Sequence, residues 1–149
     1  MRRDFARTLA VAAIGCFIAS LLLPALDLML FGKPLTIRGW QATAAGFDLL
    51  TKASEPRGFA LGASAVANLV FLAAPWLAWG APGRRAAMAF AVVTLAGLLL
   101  ALAAPHLLDR APVLRPGYPI WIAAYALLLA GWMRRARRAA SISSDESVS

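Results

Sequence analysis

Four long apolar stretches constrain this chain more than any other feature. They run over Thr8–Phe31, Gly58–Gly80, Ala86–Leu108 and Pro116–Met133. Of Asp, Glu, His, Lys and Arg, the first holds only Asp27 and the third only His106; the other two have none. A hydrocarbon core of about 30 Å is crossed by about 20 apolar residues at the helical rise of 1.5 Å. The first three stretches meet that length. The fourth reaches only about 27 Å, and Arg134 and Arg135 at its end extend it by snorkelling. Backbone polar groups inside lipid must be satisfied within the segment, so the stretches predict helices. The expected fold class is therefore all-α, a four-transmembrane-helix bundle. Its helices are expected at about 8–31, 58–80, 86–108 and 116–133, within one membrane domain over 1–140. Hydrophobic types make up 61% of the 149 residues and charged types 15%, against about 45–50% and 25% in soluble domains. A soluble enzyme of this size is excluded on that ground.

The connections follow by subtraction. Residues 81–85 (APGRR) predict a tight turn, so the second and third helices form an antiparallel hairpin. Residues 109–115 form a short loop. The polar, serine-rich segment 141–149 has no apolar period and is expected to be disordered. The long loop 32–57 contains a stretch with helical periodicity, Trp40 to Lys52. Trp40, Thr43, Ala44, Phe47 and Leu50 share one arc; Gln41, Asp48 and Lys52 share another. That pattern fits an amphipathic helix lying in the outer interface, and equally a lid packed over the bundle. Trp40 and Phe47 then mark the outer-loop surface that a ligand or partner would meet. Trp40, Trp121, Tyr118 and Phe59 are expected at the outer headgroup level, with Trp76, Trp79 and Trp132 at the inner one.

Charge sets the threading. Arg2, Arg3, Arg7, Arg84, Arg85, Arg134, Arg135, Arg137 and Arg138 fall on one side of the four stretches, and the other six bases on the opposite side. The positive-inside rule places both termini in the cytoplasm of a multi-pass inner-membrane protein. The formal charge of +8 is thus a topology marker. Arg134 to Arg138 carry no interleaved aromatic residue, so attraction to anionic lipid explains them better than nucleic acid does. The start MRRDFAR also resembles a signal peptide, but its apolar run passes 20 residues without a small-x-small cleavage site. Ile14-Gly15-Cys16 loosely matches a lipoprotein site, yet the residues after Cys16 stay apolar. The first helix is therefore expected to stay uncleaved, with Cys16 as a small apolar packing residue. One cysteine rules out an intrachain disulfide.

Ionisable residues in membrane helices are functional candidates by default. Asp27 and His106 qualify, both near the outer ends of their stretches. The plain role for Asp27 is an interfacial carboxylate paired with Arg38, Arg110 or Arg115; the sharper one is a cation or proton site. Pro24 and Pro105 are expected to kink or fray their helices nearby. His106 has no second histidine or cysteine beside it, so no metal site is expected, and no other cofactor is implied. Counting helical rise puts Ser20, Asn68, Tyr125 and Thr94 roughly 14–20 Å from the outer ends. These four are expected to face inward and hydrogen-bond across helices, unless Ser20 and Thr94 bond their own backbone. Gly58 to Gly62 is a GxxxG, and Gly97 with Ala101 repeats the spacing. Close helix packing follows, within one chain or in a homodimer.

No catalytic constellation is evident. HExxH and GxxxxGK[ST] are both absent from the sequence. Ser64 with His106 is the nearest serine–histidine pair, and it needs hydrogen-bond reach to act. A proton-coupled transporter commonly needs an acid at mid-membrane, whereas Asp27 lies near the outer end.

Ser20-Leu21-Leu22-Leu23-Pro24-Ala25, Gly39-Trp40, Ala67-Asn68-Leu69 and Gly117-Tyr118-Pro119-Ile120-Trp121 together form a pattern. It resembles that of small four-helix bacterial inner-membrane proteins of uncharacterised function. In that pattern a proline often follows the asparagine and two tyrosines follow the last glycine; here Leu69 and Pro119 stand instead. The resemblance implies the four-helix architecture and a bacterial source, and no activity. The expected role, reached by elimination, is a non-catalytic accessory, scaffold or sensing subunit with a membrane-protein partner. The alternatives are a small oligomeric transporter or channel and, more remotely, an intramembrane hydrolase.

Overall fold

A computed structural model of the chain describes residues 4–30, 33–52, 55–80, 82–108 and 112–145. The elements are α1 (Asp4–Leu22), β1 (Pro24–Leu30), β2 (Lys33–Arg38) and α2 (Gly39–Lys52), then α3 (Pro56–Ala67), a 3-10 segment (Asn68–Ala73) and α4 (Ala74–Trp79). They are followed by α5 (Arg84–Leu107), β3 (Val113–Leu114) and α6 (Gly117–Asp145). The fold is mostly helical. Among the described residues, Phe5–Leu22, Gly58–Trp79 and Arg84–Leu107 are long and apolar enough to cross a membrane. These three segments mark a membrane-embedded protein.

The all-α expectation needs correction. The first apolar stretch holds a helix and then a strand. Proline cannot donate to the helical ladder, and it disfavours the α conformation in the residue before it. α1 accordingly ends at Leu22, and Pro24 opens β1, a position where its missing N–H is tolerated. β1 pairs antiparallel with β2 and with the two-residue β3, giving the order β2-β1-β3. An apolar run of this length is compatible with helix or strand by periodicity alone, and pairing with residues 33–38 decides it.

Proline also explains the irregular second span. Pro75 leaves the carbonyl of Phe71 without its helical donor, and the backbone N–H of Ala74 bonds Phe71 instead. The i to i+3 bond tightens the chain into the 3-10 segment between α3 and α4. In α5, by contrast, the helix continues through Pro105 to Leu107. The carbonyl that Pro105 cannot serve belongs to Ala101, and the Tyr118 hydroxyl donates to it at 2.8 Å.

The fourth helix departs from its expected bounds. α6 continues past Met133 to Asp145, so residues 141–145 are helical where disorder was expected; residues 146–149 lie outside the described residues. α6 packs along both α1 and α5, and its Ala124, Tyr125, Leu128 and Trp132 are fully buried. Trp132 stacks on Phe90 at 4.9 Å and meets Trp76 edge-on. It is therefore a core residue rather than part of an interfacial belt, whereas Trp76 and Trp79 are exposed. The small residues serve packing inside the chain. A Cβ on Gly97 would lie 2.6 Å from Tyr125, and one on Gly62 would lie 2.5 Å from Leu50 of α2. Cys16 is half-buried against the core.

Two ends are thereby defined. Arg7 lies over Trp79, Arg134 lies over Phe5, and Arg135 donates to the Pro82 carbonyl. These contacts gather the start of α1, the turn before α5 and the second half of α6 at an arginine-rich end. The sheet, α2, the start of α3, the end of α5 and the start of α6 gather at the other.

Candidate functional site

The sheet end encloses a cavity of about 510 Å³. Its walls come from almost every element: Ser20 and Leu21 of α1, Leu26 and Leu28 of β1, Leu35 and Ile37 of β2, Leu49 of α2 and Ser64 of α3. Pro105 and Leu108 at the end of α5, with Tyr118 and Trp121 of α6, complete it. Most of this lining is apolar. The volume falls within the range of about 300–1,000 Å³ typical of small-molecule sites.

Asn68 anchors the polar part of the wall. Trp121 Nε1 donates to Asn68 Oδ1 at 2.9 Å, and the Tyr125 hydroxyl donates to the same oxygen at 3.0 Å. Indole N–H is a donor only, so the amide orientation is determined: oxygen must face Trp121. Nδ2 then faces α2 and donates to Thr43 Oγ1 at 3.3 Å, while Thr43 donates to the Gly39 carbonyl at 3.0 Å. One asparagine thus ties the second span to α6 and α2. An aromatic chain runs beside it, from Phe17 stacked on Phe71 at 4.1 Å, to Tyr125, then to Trp121 and Tyr118.

Two glycines let the walls close. A Cβ on Gly39 would collide with the Ser20 carbonyl, and one on Gly117 would lie 2.6 Å from the Pro24 carbonyl. Both neighbours are backbone and cannot move aside. The Gly39 N–H donates to the Leu23 carbonyl at 3.1 Å. The four short segments Ser20–Ala25, Gly39–Trp40, Ala67–Leu69 and Gly117–Trp121 therefore meet around one site, although they are distant in sequence.

The other polar positions separate into distinct groups. Ser20, Asn68, Thr94 and Tyr125 are all buried. Asn68 and Tyr125 bond across helices; Ser20 donates to Phe17 and Thr94 to Phe90, each within its own helix. Ser20 lies two residues from the end of α1, not at mid-depth, because the helix stops at Leu22. Asp27 lies on β1 rather than on a helix. Arg115 donates to its Oδ2 through both Nε, at 2.8 Å, and Nη2. Arg38 is exposed, and Arg110 lies outside the described residues. Hydrogen bonding from Arg115, with a smaller effect from the Thr36 hydroxyl across the hairpin, holds the Asp27 carboxyl below the usual carboxylate range. Asp27 Oδ1 is buried, with no hydrogen bond of ordinary length among the described residues.

His106 is exposed, while Ser64 donates to the Leu61 carbonyl at 2.7 Å. The pair is not brought into hydrogen-bond contact. α2 does form where the periodicity predicts it, but its packing stripe is shifted. Gly46 is buried against Ala65, with Ala42, Thr43, Leu49 and Leu50 half-buried, which leaves Trp40 51% and Phe47 39% exposed. Trp121, expected at headgroup level, turns instead to Asn68. Thr43, Tyr118, Gly39 and Gly117 carry the site without having been singled out as polar candidates. The sequence signals for them were the glycine–aromatic pairing at positions 39–40 and 117–118 and, for Thr43, its place on the periodic arc of residues 40–52. The chain matches no protein-family model, no curated protein and no solved structure.

Proposed function

We propose that the protein is a four-span membrane protein of the bacterial inner membrane, with both termini cytoplasmic. We further propose that it acts as a non-catalytic accessory or sensing subunit and takes an apolar ligand in the cavity at its outer end. The four-span reading is supported by α6. It runs the length of α1 and α5, so it crosses wherever they cross, and its Tyr125 and Trp132 are shielded by the bundle. α1, the α3–α4 segment, α5 and α6 alternate in direction between the two ends, which fits both termini on the arginine-rich side. Trp40 and Phe47 suit α2 to a position at the outer headgroup level.

The cavity carries the ligand reading. Its polar side chains are largely committed to partners within the chain: Ser20, Ser64 and Tyr118 donate to backbone carbonyls, and Asn68 Oδ1 already accepts two bonds. Such a wall selects by shape and apolar contact rather than by proton transfer. The Asn68 amide has two hydrogens and Thr43 takes one. The second suits an apolar molecule bearing one acceptor oxygen. The test uses a bromine-labelled long-chain alcohol and the full chain in mild detergent. Trp121 lines the cavity, so the alcohol should quench tryptophan emission in the wild type and less in Trp121→Phe. Ala42→Phe, which narrows the cavity from α2, should weaken the effect at equal alcohol concentration. Equal quenching in all three proteins would refute the ligand reading.

A further inference from the structure

We propose that the groove between α1 and α6 at the arginine-rich end is a built site for the headgroup and upper acyl chain of an anionic phospholipid. This site depends on α1 and α6 lying in the bilayer and is independent of the cavity at the opposite end. The groove has a volume of about 580 Å³. Its α6 wall is a single stripe. Ala130, Met133, Arg134, Arg137, Arg138 and Ser141 line it, at the three- and four-residue spacing that puts side chains on one helix face. Phe5 and Leu9, one turn apart on α1, form the facing wall.

Chemistry changes along the stripe in the order a lipid requires. Ala130, Met133 and Leu9 are apolar and lie toward the span, with the apolar Phe5 level with Arg134. Arg134, Arg137 and Arg138 follow, one turn nearer the aqueous end. Among the side chains that the structure describes, no carboxylate lines the groove, and none pairs with these three guanidinium groups. Arg138 Nη2 is buried with no hydrogen-bond partner. A buried guanidinium N–H without an acceptor is costly, and a phosphate oxygen would supply one. Arg134 is held with its guanidinium carbon 4.5 Å from the Phe5 ring centroid, a cation–π contact that bridges the two walls. Arg135 points elsewhere, to the Pro82 carbonyl. The arginine run therefore divides by helix face, with three residues turned to the groove or its rim and one tying down the turn before α5. A free phosphate would be served by the arginines alone; the apolar floor continuous with them favours a lipid.

The full chain, purified in mild detergent and delipidated, is titrated with phosphatidylglycerol, phosphatidylcholine or inorganic phosphate, and retention is read by native mass spectrometry. Phosphatidylglycerol should be retained over phosphatidylcholine. The double variant Arg137→Gln/Arg138→Gln should lower phosphatidylglycerol retention about 30-fold, the value of two bases near an anionic surface. Arg84→Gln/Arg85→Gln removes the same charge at the same end but outside the groove, and should leave retention within about twofold of wild type. Equal loss in the two double variants would overturn the site in favour of diffuse surface charge. Equal retention of both lipids would overturn the headgroup assignment, and stoichiometric retention of inorganic phosphate would overturn the lipid as its source.

Discussion

Replacing Asn68 with leucine tests whether one amide joins three elements. The two side chains share the same number of heavy atoms and the same branching at Cγ, so the substitution removes polarity while keeping the side-chain skeleton. It deletes three hydrogen bonds, from Trp121, from Tyr125 and to Thr43. Side-chain bonds between membrane helices average about 0.6 kcal/mol and reach about 1.7. Three average bonds amount to roughly 2 kcal/mol, and the half-buried Trp121 and buried Tyr125 donors left without an acceptor push the cost upward. Tyr125→Phe removes only one donor, while Trp121 still holds the oxygen, so it should cost about 0.6 kcal/mol. The assay is reversible unfolding of the full chain in mixed detergent micelles, followed by helical circular dichroism. Asn68→Leu should unfold at lower denaturing-detergent fraction than Tyr125→Phe. The double variant should resemble Asn68→Leu alone, because the lost bond is shared. A stability change below about 0.5 kcal/mol for Asn68→Leu, or strict additivity in the double variant, would refute the shared-acceptor geometry.

The Asp27 carboxyl is held below its usual range by Arg115, so the salt bridge contributes fully above the unfolded value of about 3.9 and is lost as pH falls through the lowered one. Hydrogen exchange of β1 and β2 should therefore rise only below about pH 4 in the wild type, whereas in Arg115→Gln it should already be raised at neutral pH. Gly39→Ala should abolish the folded detergent monomer by size-exclusion chromatography, because its Cβ meets backbone. Gly15→Ala, where a Cβ meets nothing within 4 Å, should be neutral or stabilising by about 0.5–1 kcal/mol. Tyr118→Phe should lower the melting temperature by leaving the Ala101 carbonyl without a donor, at a cost of about 1–3 kcal/mol. Adding Pro105→Ala restores a backbone N–H and should recover much of the loss.

The spans were legible in the sequence because lipid exposure imposes composition directly. Phe5–Leu22, Gly58–Trp79 and Arg84–Leu107 lie within or close to three of the four apolar stretches for that reason. The periodicity of α2 was equally legible. The strand at Pro24–Leu30 was not, because its leucines, alanine and methionine favour helix, a short apolar run does not discriminate by periodicity, and only its partner at Lys33–Arg38 decides. Ser20 was misplaced in depth by the same error.

What the sequence alone determined is the apolar lengths, the charge asymmetry between the two ends, and the local breaks at Pro24 and Pro75. Each acts through bonds or transfer energies within a few residues, so no distant partner is needed. Only the tertiary structure decided that Ser20, Gly39, Asn68 and Gly117 close on one cavity. It also decided that Tyr118 serves the carbonyl stranded by Pro105, and that the arginines of α6 divide between a groove and a turn. Those are contacts between residues tens of positions apart. Hydrogen-bond direction and close backbone approach set them, and neither leaves a periodic trace in the sequence.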